Sequence, residues 1–280
     1  MDTEFISCCI CHNESKLVKV VYAEGHSLSL SKCKTCGLIF FSKRLSHKYI
    51  QSLYKDDKFN QSDANTAYAS DDTQDFAERI KLTIPYLPVK IQLLDIGCST
   101  GNFMTTARTI LRPEILNGID LNEITNKQCR EICLDVTNKF PKQKYNFINM
   151  SDVIEHLPNP NSYMKRVSDI TKKDGILMLT TPNIKNPINW IVNIKPLEHL
   201  WYFDKKTITK LLNKNRFAVI NIQKWNRYHP LKHLINTSSA NKIRPLIKFI
   251  IFCNVDWLFD WLILRHLYSD IFIIAKKVEK

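Results

Sequence analysis

Five of the nine cysteines fall within the first 36 residues, as Cys8-Cys9-Ile10-Cys11 and Cys33-Lys34-Thr35-Cys36-Gly37. A Cys-x2-Cys turn points two sulfurs at one ion, and tetrahedral zinc takes four soft thiolates. Cys8, Cys11, Cys33 and Cys36 therefore predict a structural Zn2+ site, with 21 residues between the inner pair. That separation is slightly beyond the usual ~15–20 residues. Gly37 can supply the turn that leads back to a strand. Cys9 reads as a bystander that could replace Cys8 or Cys11. The bland alternative is a set of reduced thiols with no metal. Four cysteine ligands leave no open position for catalysis, so the ion's task is to fold a module too short to hold a core alone.

A second constellation begins where the apolar run Ile91–Leu94 meets Asp95-Ile96-Gly97-Cys98-Ser99-Thr100-Gly101-Asn102-Phe103. Glycines after a buried strand let backbone approach a ligand, and the helix that follows offers free amides. Asp120 closes the next apolar run, 25 positions after Asp95. An acid there can accept both hydroxyls of a ribose. Asp135 closes a third run, Ile132–Asp135, where it and its neighbour's backbone can meet an adenine edge. One Asp after a strand is most often a helix cap. Three at successive strand ends describe a nucleoside crevice. A nicotinamide dinucleotide fold would need G-x-G-x-x-G, which Gly97-Cys98-Ser99-Thr100-Gly101 does not supply.

These residues resemble the class I S-adenosylmethionine-dependent methyltransferases, whose first loop reads D-x-G-x-G-x-G. Ser99 stands at the middle glycine, so the loop is expected to avoid a positive φ there. The stretch Tyr145–Ser151 followed by Asp152-Val153-Ile154-Glu155-His156-Leu157-Pro158 is similar to the segment after the fourth strand in the ubiquinone-methyltransferase-like branch. Thr180-Thr181-Pro182-Asn183 and His199-Leu200-Trp201-Tyr202-Phe203 match later segments of that branch. A zinc ribbon ending in Cys-Gly-Leu-Ile-Phe precedes the catalytic domain in many sugar- and polysaccharide-associated members.

The resemblance implies that Asp95, Gly97, Ser99 and Gly101 hold the methionine part of S-adenosyl-L-methionine, with Cys98, Asn102 and Phe103 completing the loop. Asp120 and Leu121 would hold the ribose, and Asp135 and Val136 the adenine. Backbone at Met150 and Ser151 would face the sulfonium. The implied reaction is methyl transfer to a hydroxyl, or as second choice a carbon, of a sugar, sugar nucleotide or cell-envelope glycan. His156 or His199 has the unperturbed pKa suited to a general base; a structural role is the competing reading of each. Glu155 reads as a buried structural acid.

These groups need a frame, and the hydropathy pattern supplies one. Strands are expected at 91–96, 115–120, 132–135, 145–151, 176–181, 217–223 and from Asp270 to Ala275. Helices are expected at 102–111, 122–130 and 205–215, and another after the Asn159-Pro160 cap. Alternation of this kind means an α/β, Rossmann-like, doubly wound parallel sheet of seven strands, with ligands at the strands' carboxyl ends. The predicted organisation is a zinc ribbon over residues 1–44, a helical connector and cofactor cover over 45–88, and the methyltransferase domain over 89–280. Within the connector, Tyr54 and Tyr68 could cover the cofactor, and a helix is expected near 75–86.

The chain of 280 residues carries a net charge of +13, which favours anionic partners. An RNA methyltransferase is therefore an alternative, opposed by Ser151-Asp152-Val153-Ile154 where a base-attacking enzyme carries Asn-Pro-Pro-Tyr, and by the absence of a dense basic tract. A non-catalytic binding protein of the same fold is a further alternative. The acidic start Met1-Asp2-Thr3-Glu4 lacks a secretory signal, so a cytoplasmic location and free thiols are expected. A helical insert at 228–268 precedes the last strand. It reads as a cap over the acceptor site, and alternatively as a peripheral contact with the inner membrane leaflet.

Overall fold

The computed structural model describes residues 2–46, 48–50, 72–120, 127, 129–130, 135–192, 194–226 and 269–279. The insert at 228–268, Tyr54, Tyr68, Leu121 and most of the 122–130 helix lie outside the described residues. The described chain divides into two compact units. One gathers the N-terminal residues to 50 with 182–207, 224–226 and 269–271. The other gathers 72–181, 208–223 and 272–279. No helix among the described residues is long and apolar enough to cross a membrane.

In the first unit, β1 (Thr3–Phe5), β2 (Ser15–Ala23), β3 (His26–Cys33) and β4 (Ile39–Leu45) form an antiparallel sheet in the order β1-β4-β3-β2. Glu24 and Gly25, both at positive φ, make the turn between β2 and β3. Two such residues match the right-handed twist of the flanking strands. Leu28 and Leu30 of β3 and Phe40 and Phe41 of β4 are fully buried and make the core of this sheet.

The second unit is built around β5 (Gln92–Ile96), buried from Leu93 onward. A strand apolar on both faces requires parallel neighbours and covering helices. Its neighbours are β6 (Ile115–Ile119) and β8 (Tyr145–Ser151), both parallel to it. β7 (Asp135–Thr137) extends the ladder in parallel beyond β6, and β9 (Thr171–Pro182) does so beyond β8. The fifth strand of the first unit's sheet, β10 (Trp201–Tyr202), pairs with β4 through Trp201↔Phe40 and Tyr202↔Ile39. β11 (Phe217–Trp225) and β12 (Asp270–Lys277) complete the larger sheet, ordered β11-β12-β9-β8-β5-β6-β7. This sheet is mixed, not wholly parallel. The amino-terminal sheet also takes a strand from 201–202, outside the 1–44 expected for the ribbon.

Helices accompany these strands among the described residues. α1 (Asp72–Thr83) precedes β5 and runs into a 3₁₀ turn at Ile84–Tyr86. α2 (Asn102–Leu111) links β5 to β6 with the bounds expected from sequence. It stops where Arg112 enters the left-handed region before Pro113, its N–H still bonded to the Arg108 carbonyl. α3 (Pro160–Ile170) links β8 to β9, and the Asn159 side chain caps it by accepting from the Ser162 N–H at 3.1 Å. α4 (Pro187–Val192) follows β9, and α5 (Lys205–Lys214) precedes β11.

The third strand differs from expectation. Asp135 does not close β7, which runs on to Thr137; it is in register with Asn117, two positions short of the end of β6. The Asn117 side-chain amide donates to its carboxylate. Residues 132–134 of the expected run lie outside the described residues, and the described pairing with β6 covers Asp135 to Thr137.

Candidate functional site

β5 is the topological switch point: from it the chain winds outward through β6 and β7, then returns to β8 on its other flank. Open α/β sheets bind ligands at the carboxyl ends of strands at such a point. The loop there leaves β5 with Gly97 at φ 75°, and the Gly97 and Cys98 amides donate to the Ile119 carbonyl at 2.7 and 3.2 Å. A Cβ on Gly97 would lie 2.3 Å from Val153 Cγ2, so only glycine fits. Gly101 at φ 83° opens α2, its amide donating to the Cys98 carbonyl at 2.8 Å.

Ser99 does not avoid the left-handed region; its φ is 45°. Two contacts hold it there. Its amide donates to Asp120 Oδ2 at 2.9 Å, and its carbonyl accepts from the Cys129 thiol at 3.1 Å. Strained backbone of this kind persists where the surroundings over-determine it. Asp120 thus stands at the end of β6 beside the loop, as expected.

Several of the expected cofactor residues have buried side chains. Cys98 is buried with Met104, Cys129 and Val136 in one core cluster. Gly118 makes room for them, since a Cβ there would meet Cys98 Sγ and Met104 Sδ at 2.8 Å. Burial pushes the Cys98 thiol well above its ordinary range. Phe103 is buried too, its ring 5.6 Å edge-on from Phe76 of α1. The side chains of Cys98, Phe103 and Val136 are therefore support for the loop.

Asp95, 1% exposed, is the electrostatic centre. Its Oδ1 accepts from Asn149 Nδ2 at 2.7 Å, while its buried Oδ2 has no hydrogen-bond partner among the described residues. Burial raises its pKa to about 7; Asn149 and Arg79 oppose that, and Asp120 reinforces it. A buried carboxylate oxygen without a donor is costly. A cationic group arriving at Oδ2 would remove that cost.

Sequence reasoning missed two members of this network. Asn149 sits between Asp95 and Ser151, whose hydroxyl donates to Asn149 Oδ1 at 2.9 Å. Arg79 of α1 is fully buried and donates from Nη1 to Ser151 Oγ at 3.2 Å and Thr180 Oγ1 at 3.3 Å, and from Nη2 to Asp75. Thr180 in turn donates to Asp152 Oδ1 at 3.0 Å. The signal was available: Asp75 and Arg79 share, at i and i+4, the helix face of the buried Ile80 and Thr83.

Met150 is buried in β8 and Ser151 ends it, at the carboxyl edge as expected. His156 is exposed, on a 3₁₀ turn at Ile154–His156 in the second unit. Glu155 beside it is buried, as expected, and accepts from the Thr181 hydroxyl at 3.0 Å. His199 belongs to the first unit, where it is buried with Tyr202, whose hydroxyl donates to the His199 carbonyl at 2.9 Å.

The four expected zinc ligands meet. One sulfur from each of Cys8, Cys11, Cys33 and Cys36 lies within 4.8 Å of the others. The Cys8–Cys36, Cys11–Cys33 and Cys8–Cys11 sulfurs are 3.4, 3.3 and 3.7 Å apart. Bonds of ~2.3 Å to one tetrahedral ion place sulfurs a little under 4 Å apart, so the cradle fits zinc. Burial raises Cys8, and raises Cys36 to about 11. Burial also pushes Cys33 upward, but the Cys36 amide and the Cys11 side chain outweigh it and bring it to about 6. A dication would let all four ionise together.

The family model described as a methyltransferase domain matches residues 68–222, and the chain belongs to that family. It is similar to the ubiquinone biosynthesis O-methyltransferases of Leptothrix cholodnii and Glaesserella parasuis. Identity with the first is 26% over 124 residues, 39% of this chain and 52% of the relative. With the second it is 29% over 109 residues, 33% of this chain and 45% of the relative. The chain thus spans about half the length of these curated relatives.

Two solved structures share the fold. A putative methyltransferase from Bacillus halodurans superposes with a TM-score of 0.55 at 16% identity, over 74% of this chain and all of that one. A SAM-dependent methyltransferase from Archaeoglobus fulgidus gives 0.51 at 23% identity, over 73% of this chain and 94% of that one.

Proposed function

We propose that the protein transfers a methyl group from S-adenosyl-L-methionine to a hydroxyl on a sugar, sugar nucleotide or cell-envelope glycan, with carbon as second choice. The observation that carries this reading is the partnerless Oδ2 of buried Asp95 beside the Ser99–Asp120 clasp. S-adenosylmethionine supplies, when bound, a methyl carbon on a positively charged sulfur. Asp95 takes the ammonium of its methionine part, and the Ser99 and Gly101 turns admit close backbone approach. Asp120 serves the ribose. Because β7 ends at Thr137, the adenine edge is met there and not at Asp135.

This chain's own contribution to the reaction is placement and exclusion of water. Of the two histidines, exposed His156 stands on the turn after β8 and is the better base for the acceptor hydroxyl. Zinc on the four cysteines is proposed as a purely structural ion. The hydroxyl acceptor draws support from relatives named O-methyltransferases. The sugar rests on the resemblance of a ribbon followed by this domain.

The same names favour one second reading, a phenolic hydroxyl on a quinone-like ring. Incubation with methyl-labelled cofactor and panels of sugar nucleotides, lipid-linked glycans and catechols decides between them. A gain of one methyl on a glycan supports the first reading, and on a catechol the second. Cofactor hydrolysis alone, with no labelled acceptor, rejects both.

A further inference from the structure

We propose that a cleft at the amino-terminal edge of the seven-stranded sheet is a second binding site, for a small anion with an apolar body. The cleft encloses about 490 Å³. Small-molecule sites span roughly 300–1,000 Å³. Its walls are residues 85–88 after α1, the turn at 172–176 that enters the parallel part of β9, Ile220 of β11 and Lys276 of β12. Asn146, the second residue of β8, also lines it. Ser151 and Thr180 lie at the other end of β8 and β9, so this cleft is distinct from the nucleoside crevice.

The lining is divided chemically. Tyr86 and Ile220, 41% and 40% exposed, combine with half-buried Leu87 into an apolar wall open to water, backed by buried Ile176. Exposed apolar surface rimmed by charge marks ligand grooves. Against that wall stand Lys172, Lys173 and Lys276, with Asp174 as the one lining carboxylate. Lys276 pairs with Asp174 at 2.9 Å, and Lys173 with Glu279 at 3.2 Å. Both pairs are exposed, and exposed pairs hold weakly against a competing anion. Lys172 is positioned by donating to the Gln92 side-chain carbonyl.

Asp174, at φ 59°, turns the chain ahead of Gly175 so that three consecutive charged residues rim one cleft. An aryl or short aliphatic carboxylate, sulfonate or phosphate satisfies both halves at once, its body on Tyr86, Leu87 and Ile220 and its head among the lysines. A neutral apolar molecule or a bare inorganic anion satisfies only one.

The test uses the full chain and 8-anilinonaphthalene-1-sulfonate as probe, titrated by fluorescence with and without saturating S-adenosylhomocysteine. The expected result is one saturable site, unaffected by the nucleoside and about tenfold weaker in Ile220→Asp and in Lys276→Glu. Inorganic phosphate at equal concentration should not compete. Both substituted side chains are substantially exposed, and unchanged melting temperatures confirm folding. Should one variant melt early, the other decides. A linear titration, displacement by the nucleoside, or wild-type affinity in a folded variant overturns the proposal. If S-adenosylhomocysteine does not bind at all, the methyltransferase reading fails while the titration in its absence still judges this site.

Discussion

The Ser99 amide donates to Asp120 Oδ2 at 2.9 Å, tying the loop after β5 to the end of β6. A serine in the left-handed region costs about 1–2 kcal/mol, and this bond is one of two that offset it. The loop is thus shaped before any ligand arrives, and Asp120, the proposed ribose acceptor, is one of the residues that shape it.

That dual role makes Asp120→Ala worse than the loss of one ligand contact. Affinity for S-adenosylhomocysteine should fall at least about 100-fold by calorimetry, the sum of a lost contact and a relaxed loop. Ser99→Gly should keep the affinity within about threefold, while Ser99→Val should weaken it and lower the melting temperature, because a β-branched residue resists positive φ. Equal affinities for the valine and glycine variants would remove the loop's strain from the account.

Asp95 predicts a pH dependence with a definite sign. Its folded pKa of about 7 lies above the ordinary carboxylate value of about 4, so the native state holds a proton that the unfolded chain has released. Its contribution to stability is complete below about 4 and is lost as pH rises to about 7, a change of a few kcal/mol. Melting temperatures of the ligand-free protein should therefore decline across that window. Asp95→Asn should flatten the decline, since the new carbonyl still accepts from Asn149. Cofactor affinity should change the other way, rising towards pH 7 as the carboxylate forms. A wild-type profile without slope would show that Asp95 is charged throughout.

Arg79 is the residue by which α1 reaches Ser151 and Thr180. Arg79→Met removes the guanidinium and leaves Asp75 without that partner, a change expected to cost about 3–5 kcal/mol if the site stays dry. The measurable signature is faster amide exchange over 75–83 than over 102–111. Uniform exchange in both helices would mean that Arg79 does not anchor α1.

For the cysteine cluster, one zinc per chain is expected by elemental analysis, and Cys33→Ser should lower that ratio and release the ribbon's near-ultraviolet signal. Chelation should reproduce the variant's spectrum. A metal-free preparation with a wild-type melting curve would reduce the cluster to four ordinary thiols.

Much of the frame was legible because it follows from local chemistry. The bounds of α2 are set by Gly101 and Pro113, and those of β8 by an apolar run between polar neighbours, so both agree with expectation residue for residue. The Asn159 cap was equally readable. The end of β7 was not, because the strand runs past Asp135 to Thr137, a place set by pairing with β6 and not by local hydropathy. Ser99 misled for a related reason: its intrinsic preference was read correctly, and contacts from Asp120 and Cys129 override it. Arg79 was hidden by the rule that arginine belongs to surfaces, a rule that fails where a helix end meets several hydroxyls.

The pairing of β10 with β4 has a consequence for how this protein is made. Trp201 lies 5.3 Å from Phe40, ring on ring, and Arg44 stands over the Trp201 indole at 5.6 Å. During synthesis the amino-terminal sheet emerges first, yet its last strand leaves the ribosome only after most of the α/β layer has been translated. Its completion must wait, and closure over so long a stretch of chain is slow. The early amino-terminal sheet therefore carries Phe40 and Phe41 without the Trp201 and Tyr202 rings that later pack against them.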